Sequence, residues 1–256
     1  MAANDYSTHL VAASSQAFSA VDHADFKPTG NFTVGAWFKT SGNTQYIFQS
    51  YNETSKSAGW IIYIQVDGKL VFWSAKNSGT TANVDYAKIT TTSAVNDGAW
   101  HWVVGVWNGS NLNVYIDGSS AATAVSWANA PVYQATNYVR VGCASSGSDG
   151  TFFNGNIDEV FLINGTAWDL TTVQSYYKKV ITGATNLKAY YQFENGNTDS
   201  SGNSHTLTNI GSPTFQLDVP FTGITTNYLK NYRRESDVGG ATGNNLSNYR
   251  RGSSRI

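Results

Sequence analysis

The sequence predicts an all-β protein: two antiparallel sheets packed as a sandwich, with one short helix and an extended C-terminal arm. Three observations carry that expectation. Short apolar runs with two-residue alternation recur between Gly, Asn, Asp and Ser turns, the pattern of half-buried strands. Aromatic residues make up 14% of the chain and charged residues only 13%, a balance unlike that of a disordered chain or a coiled coil. Helical periodicity shows in one segment alone, so the strands lack the intervening helices that a parallel α/β fold requires.

Phe32–Thr40 is the first clear strand, with Phe32, Val34, Ala36 and Phe38 on one face. Gln45–Ser50 follows. Trp60–Val66 and Lys69–Ser74 flank Asp67-Gly68, a dipeptide that tolerates the positive φ of a tight hairpin. Val84–Thr91 is a further strand. The stretch from Gly98 to Gly118 reads as a hairpin with a second turn behind it. Trp100, Trp102, Val104 and Val106 alternate with His101, Val103 and Trp107; Asn108-Gly109 turns the chain; Leu112, Val114 and Ile116 return it; Asp117-Gly118 turns it again. Tyr138–Cys143, Asn156–Ile163 and Lys188–Glu194 complete the strands. Between the last two, Asp169 is placed to cap a helix from Leu170 to about Lys179, with Leu170, Val173 and Tyr177 on one side. The alternation assigns Trp37, Trp102 and Val104, together with Phe161, to the layer between the sheets, and His101 to a sheet surface.

A chain of 256 residues is long enough to bury a core without covalent staples. Its one cysteine, Cys143, excludes an internal disulfide and a thiolate metal cluster, and reads as a buried residue. The formal net charge of −1 is unevenly placed. Residues 1–226 hold 10 Lys and Arg against 15 Asp and Glu, a balance of −5; residues 227–256 hold 6 against 2, a balance of +4. The body therefore lacks the basic footprint of a nucleic-acid binder, and nucleic acid is not an expected partner. No apolar run approaches the ~20 residues needed to cross a bilayer. The N-terminal MAANDYSTHLVAASSQAF has neither the basic nor the apolar region of a secretory signal.

GAWHWVVGVWNGSNLNVYIDG resembles the "W-H-x-V … L-x-L-Y-V-D-G" hairpin of laminin-G-like domains in the concanavalin A-like lectin/glucanase superfamily. LVAASSQAFSAVDHADFKPTGNFTVGAWFKT is similar to the family's opening strand pair. FFNGNIDEVFLINGTAWDLTTVQSYYK is similar to its closing segment, and LKAYYQFENGNTDSSGNSHTLTNIG to a block that in many relatives comes first. Here that block comes last, so the chain looks circularly shifted or carries the start of a further, truncated repeat. The resemblance covers most of residues 6–218 and implies a jelly-roll sandwich over residues 1–226; composition sets off an arm at 227–256.

The same resemblance implies a structural calcium held by Asp158 of GNIDEV with Asp199 and Asn203 of TDSSGN, positions that match calcium-holding acids in laminin-G-like and pentraxin-like relatives. Calcium takes six to eight oxygens; the alternative is a turn that satisfies its own backbone. The fold also implies glycan binding, for which the loop aromatics Tyr51, Trp127 and Tyr133 are candidates. Hydrolysis is not expected. The chain has only four Glu, and none sits in the E-x-D-x-E pattern of the fold's glucanases; Asp158 and Glu159 are neighbours that a regular strand points to opposite faces.

From Asn227 onward large aliphatics thin out and a short repeat appears, Leu229-Lys-Asn-Tyr-Arg-Arg and Leu246-Ser-Asn-Tyr-Arg-Arg. Tyr232, Arg233, Arg234, Tyr249, Arg250 and Arg251 suit a docking arm, since tyrosine buries area at low entropic cost and arginine pairs with carboxylates. An extracellular type of fold without a signal peptide, ending in such an arm, points to a non-catalytic subunit of a larger assembly. The expectation is a virion (phage) surface, decoration or attachment protein that meets neighbouring subunits through the arm. The alternative is a glycan-binding lectin or adhesin module of a secreted or cell-surface protein, with a glycoside hydrolase third.

Overall fold

The structure, a computed structural model, describes residues 4–222 apart from 53–58, 77–80, 83, 135–136 and 146–148. The arm at 227–256, with Tyr232, Arg233, Arg234, Tyr249, Arg250 and Arg251, lies outside the described residues.

In chain order the strands are β1 (Ser7–Leu10), β2 (Ala17–Ala20), β3 (Phe32–Lys39), β4 (Gln45–Tyr51), β5 (Gly59–Ile64), β6 (Lys69–Ala75), β7 (Tyr86–Ala94), β8 (Trp100–Trp107), β9 (Asn111–Ile116), β10 (Ser119–Ser120), β11 (Val125–Ser126), β12 (Tyr138–Val141), β13 (Cys143–Ser145), β14 (Asp149–Phe152), β15 (Gly155–Asn164), β16 (Leu187–Tyr191), β17 (Thr208–Ile210) and β18 (Thr214–Gln216). Helix α1 (Leu170–Tyr176) lies between β15 and β16. One sheet runs β10-β9-β8-β3-β15-β1-β18, with β11 also on β9 and β16 also on β15; the other runs β17-β2-β12-β4-β5-β6-β7. All their pairings are antiparallel, and β13 and β14 form a small ribbon. This is the two-sheet sandwich that the alternation predicts. Among the described residues no helix is long and apolar enough to cross a membrane.

The layer between the sheets takes Phe32, Val34, Ala36 and Phe38 from β3, Val103 and Trp107 from β8, and Phe48, Trp60, Ile62 and Phe72 from the opposing sheet. The sheets approach closely at Gly105, where a Cβ would lie 2.7 Å from the Phe72 ring. Trp37, Trp102, Val104 and Phe161 are buried as expected, but not in this layer. They form a second cluster on the outer face of the nine-stranded sheet, under α1 and the chain that follows it, with Trp168, Val173 and Tyr190. The physical reason is that β3, β8 and β15 are central strands covered on both faces. Both phases of their alternation are apolar, so the pattern fixes the phases without saying which one meets the partner sheet.

Helix α1 starts as predicted: Asp169 Oδ1 accepts a hydrogen bond from Thr172 N at 2.8 Å. It is shorter than expected, ending at Tyr176, and Lys178 adopts φ 57°. The C-terminal block folds into the same sandwich, β16 on β15, β17 on β2 and β18 on β1. A circular order of elements, rather than a truncated repeat, accounts for its position.

That order has a local consequence on β15. One edge of β15 pairs with β3 from Asn156 to Asn164. The other edge is shared: β1 takes Gly155–Ile157 and β16 takes Val160–Ile163. Asp158 and Glu159 fall at the handover. The register against β3 shifts between Asp158 and Phe161, and Glu159 adopts φ 48°, a bulge that breaks the two-residue alternation.

Candidate functional site

The outward face of the seven-stranded sheet is aromatic. Trp60, Ile62 and Phe72 point inward, so the residues between them in β5 and β6 point out. The register aligns these into rows across the strands. One row runs Tyr138, Tyr51, Gly59, Ala75, Tyr86; the next runs Arg140, Gln49, Ile61, Trp73, Lys88; a third starts at Tyr46 and passes Tyr63 and Val71. Tyr46 stacks on Tyr63 at 5.4 Å between ring centroids. Trp73 lies between Tyr51, edge-on at 5.2 Å, and Tyr86 at 5.5 Å. Tyr46, Tyr51, Tyr63 and Tyr86 are each half-buried around Ile61, Val71 and Trp73. Burial, followed by the phenols of Tyr46, Tyr86 and Tyr51, pushes the Tyr63 hydroxyl up to about 12, so at neutral pH it is a neutral donor and acceptor. Polar groups flank the rings. Arg140 Nε donates to Asp149 Oδ1 at 2.6 Å beside the Tyr138 ring, and Lys88 is exposed at the opposite side.

Of the three expected glycan contacts, only Tyr51 belongs to this face. Trp127 is 2% exposed and packs in the inter-sheet core, with its carbonyl bonded by Trp107 Nε1; its ring has no free face for a sugar. Tyr133 packs against the same core and donates to the Pro28 carbonyl at 3.1 Å, and burial raises its hydroxyl well above the ordinary value. Both are corrections with one cause. A loop residue next to a sandwich is as able to plug the core as to face solvent. Tyr46, Tyr63, Trp73 and Tyr86 were missed, although GWIIYI and KLVFWSA carry rings in both phases of their alternation.

The expected calcium residues bond to different partners. The Asp199 carboxylate accepts from Tyr190 N at 3.0 Å and Ser201 N at 2.9 Å on one oxygen, and from Ser201 Oγ and His205 N, both at 2.9 Å, on the other. Those four bonds use the lone-pair positions a carboxylate offers. Asn203 turns its amide nitrogen toward the carbonyls of Leu187 and Lys188. The DSSGN segment is thus a self-satisfied turn and does not fit an ion. Asp158 keeps different company. It is fully buried beside Glu159, with Asn4 and Glu194 close enough to perturb it. The expectation that Asp158 and Glu159 face opposite ways fails at the bulge: both are buried and coupled, and burial followed by neighbouring carboxylates drives both well above the usual carboxylate range.

His101 lies between two carboxylates, Nδ1 2.7 Å from Asp117 Oδ2 and Nε2 3.2 Å from Asp97 Oδ1. Asp117 Oδ1 also accepts from Trp102 N at 2.8 Å, so the group clamps the Asp117-Gly118 turn onto β8. Elsewhere Asp25 Oδ2 takes His205 Nε2 at 2.8 Å and lies 3.2 Å from His23 Nδ1. Lys188 Nζ, 3.4 Å from Asp25 Oδ1, already supplies a cation to this cluster.

A family model described as the concanavalin A-like lectin/glucanases superfamily matches residues 13–168. No curated protein sequence matches the chain. Among solved structures, a Bacteroides ovatus ATCC 8483 protein described as carbohydrate binding aligns with TM-score 0.62 at 15% identity, over 85% of this chain and 61% of that one. The chain therefore spans about three-fifths of that protein's length. A heptameric SAP-like pentraxin from Limulus polyphemus aligns with TM-score 0.53 at 14% identity, over 84% and 89%. The CBM40 of a Ruminococcus gnavus IT-sialidase, solved with α2,3-sialyllactose, aligns with TM-score 0.52 at 11% identity, over 69% and 100%. At these identities the likeness establishes a shared fold.

Proposed function

We propose, because the chain belongs to the concanavalin A-like lectin/glucanase superfamily, that it is a carbohydrate-binding module with its glycan on the aromatic face of the seven-stranded sheet. The observation that carries this reading is the set of four half-buried tyrosines around Trp73 on one outward face. A solvated sheet face ordinarily alternates to polar residues, and an exposed apolar patch rimmed by polar groups marks a binding surface. Pyranose rings offer the matching chemistry, an apolar C–H face to stack on a ring and hydroxyls to exchange bonds with phenols, Arg140 and Lys88. Names of two of the three relatives refer to carbohydrate, which supports the same class. The assembly reading rests on the sequence, because the arm lies outside the described residues.

An open face gives weak binding. Covering on the order of 200 Å² of apolar surface yields about 5 kcal/mol gross; association offsets part of it, and hydrogen bonds to the sugar hydroxyls return about 0.5–1.5 kcal/mol each. A Kd of roughly 0.1–1 mM per site is expected. The test is a glycan array probed with the full chain, followed by calorimetry on the retained sugars. Tyr51→Ala, Tyr63→Ala and Tyr86→Ala should each weaken binding about tenfold, a loss of about 1.4 kcal/mol, with circular dichroism unchanged. A chain that retains no glycan at millimolar concentration, or binding indifferent to all three substitutions, would sink the proposal.

A further inference from the structure

The turn between β2 and β3 carries His23 and Asp25, and the turn that follows β16 carries His205. One ring nitrogen of each histidine and one carboxylate oxygen of Asp25 lie within 4.8 Å of one another. Asp25 Oδ2 is 2.8 Å from His205 Nε2 and 3.2 Å from His23 Nδ1. Among the described residues this is the one place where three side chains of the metal-ligating types His, Cys, Asp and Glu converge. His101 makes the contrast: its two carboxylates sit on opposite ring nitrogens, so no one ion meets all three. Both turns of the cluster are held from behind. Asp25 O accepts from Asn164 Nδ2 at 3.1 Å, and Phe26 O from the buried Trp60 Nε1 at 3.2 Å. His205 N donates to Asp199 Oδ2 at 2.9 Å, and its carbonyl accepts from the Tyr191 hydroxyl at 2.8 Å. The His205 ring packs on Phe26 at 5.0 Å and on the His23 ring at 4.6 Å between centroids. Such support fixes where a ligand points before an ion arrives.

We propose that His23, Asp25 and His205 bind a zinc ion, with water in the fourth position. Two imidazoles and one carboxylate are a borderline set that suits zinc, whereas calcium and magnesium take oxygens. Ligands about 2.0–2.1 Å from a tetrahedral zinc stand about 3.3 Å from one another, close to the two distances at Asp25 Oδ2. The His23 side chain is 54% exposed, so its ring is free to turn onto the ion and the site opens to solvent. His23 Nδ1 accepts from Asp25 N at 3.1 Å, so it presents a lone pair; the bond is exposed, and water can serve the amide once the ion takes the nitrogen. At His205 the ion replaces the hydrogen shared between Nε2 and Asp25, and the ring carries its hydrogen on Nδ1 instead. Burial acts to raise the Asp25 carboxyl, yet the bond to His205 and the charge of Lys188 hold it below its ordinary value. The carboxylate is therefore ionised, as ligation requires. Lys188 Nζ stands 3.4 Å from the other oxygen, Oδ1. It balances Asp25 while no ion is bound and opposes an ion that is. A zinc there would clamp the segment ahead of β3 to the C-terminal block.

The test uses the full chain without a polyhistidine tag, stripped with EDTA and dialysed. Calorimetry with ZnCl2 should give one site per chain, and a hundredfold excess over its Kd should raise Tm by about 5–10 °C. His23→Gln and His205→Gln should each abolish that rise, measured against the variant's own stripped Tm; the exposed His23 can be replaced without disturbing the core. His101→Gln should keep it. Lys188→Gln should bind zinc about tenfold more tightly, because it removes a like charge beside the ion. Cobalt(II) on the wild-type chain should show the visible absorption of a tetrahedral site, bleached by zinc, a readout independent of variant folding. No zinc-dependent rise in Tm, a rise that survives both histidine substitutions or disappears with His101→Gln, zinc affinity that does not increase in Lys188→Gln, or cobalt that keeps its octahedral aqueous spectrum would each overturn the assignment.

Discussion

Truncating Trp102 tests whether the nine-stranded sheet has a second apolar layer on its outer face. Trp102 is 1% exposed and packs on Trp37 at 6.2 Å, Tyr177 at 5.9 Å and Phe161 at 6.3 Å between ring centroids. A buried tryptophan removes about 200–250 Å² from water, a gross gain of about 5–6 kcal/mol. Compactness of the unfolded chain lowers that by some 10–40%. Trp102→Ala should therefore cost about 4 kcal/mol, inside the ~3–5 kcal/mol range for such truncations, and lower Tm by roughly 8–16 °C. Urea unfolding measures the cost. Hydrogen exchange locates it: protection in α1 and around Tyr177 should fall further than protection in β3 and β8, because Trp37 and Trp102 are what Tyr177 rests on. Val103→Ala, which opens the inter-sheet layer instead, should leave α1 exchanging at the global rate. A Trp102→Ala loss under about 1 kcal/mol, or α1 protection that follows global stability in both variants, would refute the two-layer account.

The hydrogen bond to Asp117 raises the His101 pKa above 6.5 against the opposing effect of burial. The folded state thus holds this proton to higher pH than the unfolded state. Its contribution is full below about pH 6.5 and is lost as pH rises through the raised value; His101→Gln should flatten that decline in urea midpoints taken across the pH range, and parallel curves would contradict the clamp. Asp199→Ala strips four acceptor bonds from the turn after β16 and leaves the amides of Tyr190, Ser201 and His205 unpaired. A loss of about 2–4 kcal/mol is expected in chemical denaturation, and a neutral substitution would mean that water replaces the carboxylate at no cost.

The longer strands, β3 to β9 with β12, β15 and β16, were legible because each has its own local signal, whereas short strands such as β10, β11, β17 and β18 carry too few residues to show an alternation. Asp67-Gly68 and Asn108-Gly109 sit at turns with both glycines at positive φ, and the pairs they join are β5–β6 and β8–β9. Helix α1 was legible through Asp169, whose side chain makes the expected cap. Facing was not legible. Val103 and Trp102 are both buried, and nothing within β8 says which of them meets Phe72 and which meets Tyr177. That choice is made by α1 and the chain beyond it, which cover one face and are far away in sequence. Trp127 and Tyr133 mislead for a related reason: burial of a loop ring is decided by the cavity it meets.

The acidic site shows how a tertiary event can make a local sequence pattern misleading. Asp158 and Glu159, taken alone, are adjacent acids in an apolar strand, and alternation sends one of them to each face. What overrides it is the order of the elements. Because the last block of the chain closes the sandwich, β15 must share one edge between β1 and β16, and a bulge absorbs the change of partner. The bulge turns both acids into one neighbourhood, where Asn4 and Glu194 arrive from opposite ends of the chain. One trace of this was present in YYQFEN: Tyr190, Gln192 and Glu194 share a phase, and the first two reach Glu159. An apolar strand that crossed this point unbroken would have left no reason for polar side chains at three consecutive positions of that phase. What those side chains meet is the bulge itself: the Tyr190 hydroxyl and the Gln192 amide both bond the Glu159 carboxylate, so the phase turns polar where it reaches the buried acids.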